Sequence, residues 1–157
     1  MDAKHLESLL ICHGLPTTCL DLLTETEQWK NLKKIGFGEV ENPNIDSFLH
    51  LEKIRFEARK MSPEDVWKLV QRFQKPLPTG SYFDITVNHD ADVDDILTYF
   101  RKKGVDVRSN PVRPGDNERY IHTQRFVIPK TKEDHVLIVR MNNSRVYGWV
   151  GKASRFN

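Results

Sequence analysis

The sequence predicts an α+β fold: a mixed β-sheet of four to five strands flanked by helices, with a helical N-terminal half. Three observations carry that expectation. Apolar residues recur at helical spacing up to about residue 79, and after Gly80 the periodicity becomes strand-like. The change falls on "QKPLPTG", a break punctuated by proline and glycine. Residues 1–79 therefore read as a helical part packing on the sheet and residues 80–157 as an α/β core, together one structural domain.

Taken in order, residues 4–12 and 18–34 read as helices separated by "HGLPTT", where Gly14 and Pro16 interrupt the pattern, and "GFGEVENPN" reads as a loop. In "DSFLHLEKIRFEARKM", Phe48, Leu51, Ile54, Ala58 and Met61 fall on one helical stripe. "SPEDVWKLVQRF" is a strong helix start, with Ser62 as N-cap, Pro63 at the first helical position and acids in the first turn. "SYFDITV" alternates as a strand does. "DVDDILTYFRKKG" opens on acids, closes on Arg and Lys, and stops at Gly104, which suits the dipole and termination of a helix. "VDVRS", "RYIHTQRFVIP", "HVLIVRM" and "RVYGWVG" follow as strands, with "NNS" at 142–144 as a hairpin turn. The run at 136–139, apolar on both faces, marks a strand covered on both sides.

The composition is that of a globular protein, with 38% hydrophobic and 29% charged residues. No apolar run is long enough to span a membrane, and "MDAKHLESLL" lacks the apolar core of a secretory signal. Two cysteines, Cys12 and Cys19, make no disulfide framework, so the expected setting is cytoplasmic, with reduced thiols. With His13 and His5 they offer zinc ligands, but without the CxxC pairing that structural zinc sites favour. The net charge of +2 is unevenly spread: residues 105–157 hold ten Lys/Arg against five Asp/Glu, leaving −3 on the first 104. A basic C-terminal third suits contact with a phosphate backbone, through Arg113, Arg119, Arg125, Lys130 and Lys132.

Two strands carry acid in an unusual way. In "YFDITVN", Asp84 shares a face with Tyr82 and Thr86, opposite Phe83, Ile85 and Val87; in "GVDVRSN", Asp106 and Arg108 share a face, opposite Val105 and Val107. Metal-assisted hydrolysis of a phosphodiester needs converging carboxylates and a nearby cation, which Asp84, Asp106 and Arg108 would supply. His122 and Gln124 share a face of the following strand and are further candidates beside a phosphate.

The order "FDI", "VDVRSN", "HVLIVRM", "VYGWVG" over residues 80–151 resembles the core of small PD-(D/E)xK nuclease-like proteins. The resemblance implies a magnesium- or manganese-dependent endonuclease or a nuclease-fold nucleic-acid-binding protein. Asp84 and Asp106 would hold the metal with the main-chain carbonyl of Val107, and Glu57 or Glu52 would complete the cluster from a preceding helix. Gln124 would line the site. Arg108 stands where that family has lysine and would steady charge without relaying a proton. A helix between the two acidic strands is a second departure from the family pattern. From a different class, the same chain reads as a non-catalytic interaction protein, a small regulator or inhibitor with a protein partner. The sequence leaves room for a homo-oligomer under either reading.

Overall fold

The computed structural model describes residues 6–89, 91–108, 120–129 and 134–155, which form seven strands and four α-helices. In chain order these are β1 (Ser8–Ile11), α1 (Thr17–Thr24), α2 (Glu27–Asn31), β2 (Lys34–Val40), β3 (Lys53–Ala58), α3 (Pro63–Phe73), β4 (Tyr82–Val87), α4 (Val93–Lys102), β5 (His122–Val127), β6 (His135–Asn142) and β7 (Arg145–Lys152). A 3-10 turn at Ile45–Phe48 links β2 to β3. The strands make one mixed sheet in the order β1-β2-β3-β4-β7-β6-β5. Its first four strands run parallel, and β7, β6 and β5 return antiparallel from the far side of β4.

This corrects the expected architecture in two ways: the sheet has seven strands, not four to five, and the N-terminal half is not a purely helical part, since alongside α1, α2 and α3 it supplies β1, β2 and β3. The stripe Phe48, Leu51, Ile54, Ala58 and Met61 is buried throughout, yet its central part is strand. In "KIRFEA" a period of two, with Ile54, Phe56 and Ala58 inward, coincides with helical spacing at Ile54 and Ala58. Of the expected loop at 36–44, residues 36–40 belong to β2. Its glycines mark close approach of neighbouring chain: a Cβ on Gly36 would lie 2.6 Å from Leu10 Cδ1, and one on Gly38 2.9 Å from the His13 carbonyl carbon. "VDVRS" forms no strand among the described residues, although Val105 and Val107 do turn inward and pack against the core.

The expected helix at 4–12 is instead strand β1, and the one at 18–34 divides into α1 and α2; the remaining elements lie close to where their patterns put them. Ser62 Oγ accepts from the Asp65 amide at 3.1 Å to cap α3, and Asp92 caps α4 in the same way. Asn142 Oδ1 accepts from the Ser144 amide in the turn joining β6 and β7.

All four helices bury apolar residues against one face of the sheet, although Leu22 of α1 stays exposed. Ile35, Ile54, Phe56, Phe83, Ile85, Val139, Met141 and Val146 from the strands meet Leu20, Trp29, Leu69, Phe73, Ile96 and Phe100 from the helices in one continuous core. Among the described residues no helix is long and apolar enough to cross a membrane.

Candidate functional site

Because alternate residues of a strand point to opposite faces, the helix-covered face fixes what the other face carries. At one level across the sheet, Lys53, Tyr82, Trp149, Ile138 and Arg125 stand in register on β3, β4, β7, β6 and β5. At the next level stand Arg55, Asp84, Tyr147, Arg140 and Thr123. Arg145 follows opposite Thr86. Arg55 and Arg125 are exposed, while Tyr82, Tyr147, Arg140 and Arg145 are half-buried.

Asp84 is the centre of this face and is only 8% exposed. Both of its oxygens are engaged: Arg145 donates from Nε to Oδ1 at 2.6 Å and from Nη2 to Oδ2 at 2.7 Å. Arg55 adds a longer contact, with Nε 3.8 Å from Oδ2. The Asp84 hydrogen bonds hold the Arg145 guanidinium above its ordinary pKa, against burial, which lowers it. The same guanidinium lies 5.5 Å from the ring centre of Tyr147, and that of Arg140 lies 5.7 Å from the ring centre of Tyr120. Burial pushes the Tyr147 phenol up, and the Asp84 carboxylate pushes it further, so the phenol keeps its proton at neutral pH. Asp84, Arg145, Tyr147, Arg140 and Tyr120 therefore form one cluster of alternating charge and aromatic ring.

Asp106, expected beside Asp84, is elsewhere. Its main-chain carbonyl accepts from Gln124 Nε2 at 3.3 Å, and Gln124 sits on the helix-covered face of β5. β5 is three strands from β4, roughly 14 Å at about 4.8 Å per strand step, and Asp84 is on the opposite face. The Asp106 side chain is exposed and takes Arg108 Nε at 2.6 Å as a surface ion pair. Val107 is half-buried against the core. Glu57 lies on β3, not on a helix, exposed on the sheet face opposite the helices and in register with Thr86; Glu52 precedes the strand, its amide donating to the Lys33 carbonyl at 2.9 Å. His122 Nε2 and Gln124 Oε1 are 3.1 Å apart in a buried pair that helps tie residue 106 to β5. Arg125 is on the open face, whereas Arg113, Arg119, Lys130 and Lys132 lie outside the described residues, as does His5. Cys12 and Cys19 are exposed, free thiols. Among the described residues no three or more His, Cys, Asp or Glu side chains come together as a metal-ion donor set.

Arg145, Tyr147, Arg140 and Arg55 were not singled out in the sequence, although a signal for three of them exists. Once "NNS" is taken as the turn, hairpin register places Arg140 opposite Tyr147 and Asn142 opposite Arg145. Alternation in "RVYGW" then puts Arg145, Tyr147 and Trp149 on one face. That β7 would lie against β4, bringing Arg145 to Asp84, is a long-range pairing that no local pattern encodes.

The comparisons with known proteins overturn the nuclease resemblance. No PD-(D/E)xK model matches; the family model that does is the FTH domain, over residues 1–103, a stretch that runs from before β1 through α4. No curated protein and no solved structure matches the chain. The match spans about two thirds of the 157 residues, and the chain belongs to the FTH domain family.

Proposed function

We propose that this protein is a non-catalytic interaction module that binds a protein partner through the face of its sheet opposite the helices. The observation that carries this reading is the engagement of Asp84. The carboxylate that would serve a metal is spent on Arg145, and the bidentate pair instead orders a surface of Arg and Tyr side chains. Arginine and the aromatic residues are the side chains that dominate protein interfaces, because they combine large contact area with hydrogen bonding. Arg140 and Tyr147, in register on adjacent strands, are the centre of the proposed contact. In this reading the chain works inside the cell, with Cys12 and Cys19 reduced, and needs neither magnesium nor manganese.

Affinity capture from the source cells with the wild type, Arg140→Ala, Tyr147→Ala and the helix-face control Arg101→Ala tests this. A retained protein should be lost with the two open-face variants and kept with the control, and its complex should protect the amides of β4, β6 and β7 from hydrogen exchange. Protection confined to the helices would refute the proposal. So would binding that disappears on nuclease treatment, or metal-dependent cleavage of nucleic acid.

A further inference from the structure

On the helical side of the sheet, apart from the Asp84 cluster, a cleft of about 440 Å³ is lined by Leu49, His50, Lys68, Gln71, Arg72 and Lys75. Three of these are cations, Gln71 offers hydrogen bonds, His50 Nε2 is already engaged with the Trp29 carbonyl at 2.9 Å, and no carboxylate is among them. Each cation stands differently. Lys68 Nζ is held by Asp46 at 3.2 Å and lies 3.9 Å from Glu64, so its charge is already answered. Lys75 is exposed just past the end of α3. Arg72 is half-buried, and burial lowers the pKa of its guanidinium, with Glu52 opposing only as a lesser, through-space attraction. Arg72 Nε donates to the Leu49 carbonyl, which fixes the plane of the group, and no described residue takes up its Nη hydrogens.

A guanidinium drawn partly out of water with no counter-ion in contact is costly, and an anion seated against it recovers that cost. With Lys68 ion-paired and Glu52 acting on Arg72 only through space, Arg72 and Lys75 carry two positive charges that no carboxylate among the described residues contacts, which suits a dianion. The two free Nη groups favour an oxyanion with several acceptor oxygens over a point anion. The C-terminal dipole of α3 opposes anion binding here, but with only about half an elementary charge. Its last carbonyls are also partly satisfied, since the Gln74 and Lys75 amides donate to Val70 and Arg72 at 2.9 and 3.2 Å. We infer that this cleft is a phosphate site for a phosphate dianion, either free inorganic phosphate or a phosphomonoester carried on a partner's side chain.

The test is calorimetric titration of the full chain with inorganic phosphate at constant ionic strength, held with chloride. A phosphoserine peptide and its unphosphorylated form follow. The wild type should bind inorganic phosphate saturably, and Lys75→Gln and Arg72→Lys should each bind about tenfold more weakly, the loss expected for one charge-assisted hydrogen bond. Lys75 is exposed, so its variant decides the matter even if Arg72→Lys unfolds. A peptide that binds more tightly than inorganic phosphate only when phosphorylated assigns the group to a partner chain; equal affinity assigns it to free phosphate, and both outcomes uphold the site. Absence of saturable binding by the wild type, or undiminished binding by Lys75→Gln, overturns it.

Discussion

Replacing Asp84 by asparagine separates a structural carboxylate from a metal ligand. The variant keeps the shape but removes the charge, and it turns an amide towards Arg145, so that one donor faces another. The wild-type pair consists of two charge-assisted hydrogen bonds, at 2.6 and 2.7 Å, with the Asp84 side chain 10% exposed and that of Arg145 39% exposed. Breaking a fully buried pair from one side costs about 3–5 kcal/mol. A single hydrogen bond to a charged group contributes about 1.5–3 kcal/mol. Arg145 is exposed enough to turn towards water, so the expected loss is near the lower figure, about 2 kcal/mol. For a chain of this length that lowers Tm by about 4–8 °C. Urea melts followed by tryptophan fluorescence, for wild type, Asp84→Asn, Arg145→Gln and the double variant, should give a coupling of about 1–2 kcal/mol between the two sites. Magnesium should leave every curve where it is. An Asp84→Asn protein as stable as the wild type, or a magnesium-induced rise in Tm that needs Asp84, would refute the reasoning.

Other outcomes follow from the same geometry. A Cβ on Gly148 would lie 2.2 Å from Cε1 and Cζ of the fully buried Phe83. Gly148→Ala should therefore cost about 1–3 kcal/mol in urea melts, and adding Phe83→Leu should recover part of it; an unchanged midpoint would show that the sheet gives way freely. Ser62→Ala should cost about 1 kcal/mol by removing the cap of α3, and an equally stable variant would contradict that role. Because the Tyr147 phenol is raised by burial and then by Asp84, stability should be flat below its unfolded value and fall as pH climbs through the folded one. Tyr147→Phe should make that alkaline fall shallower in melts from about pH 9 to about pH 11.5; identical limbs would refute it. Residues 80–157 alone should be molten or insoluble, since they leave one edge of β4 bare and lose Leu69, Val70 and Phe73 from the core; a cooperative melt would contradict this.

Elements specified by local chemistry were legible in the sequence. Ser62 and Pro63 set the start of α3, acids and bases flank α4, and "NNS" turns β6 into β7, each within a few residues of chain. Core membership was legible even where element type was not, as Ile54 and Ala58 show. β2 and β3 were missed because a parallel strand is defined by neighbours far along the chain, and glycine at 36 and 38 reads locally as a turn. At the site, Asp84 was identified and its neighbours were not. Val105 and Val107 do turn inward and Asp106 and Arg108 outward as alternation implies, but the segment forms no strand among the described residues, and the nuclease resemblance supplied the wrong adjacency.

The seam between β4 and β7 also bears on how the chain assembles during synthesis. Arg145 leaves the ribosome 61 residues after Asp84, so β1 to β4 emerge first, with the outer edge of β4 unpaired. A bare edge strand invites pairing with another chain. Asp84 places a carboxylate beside that edge, which repays a partner strand bearing arginine in the matching register and penalises one that does not. A slip of one residue would turn Arg145 into the helix-covered core and leave the carboxylate facing Val146. The same ion pair that shapes the finished surface thus favours, by charge and register alone, the strand that completes the sheet.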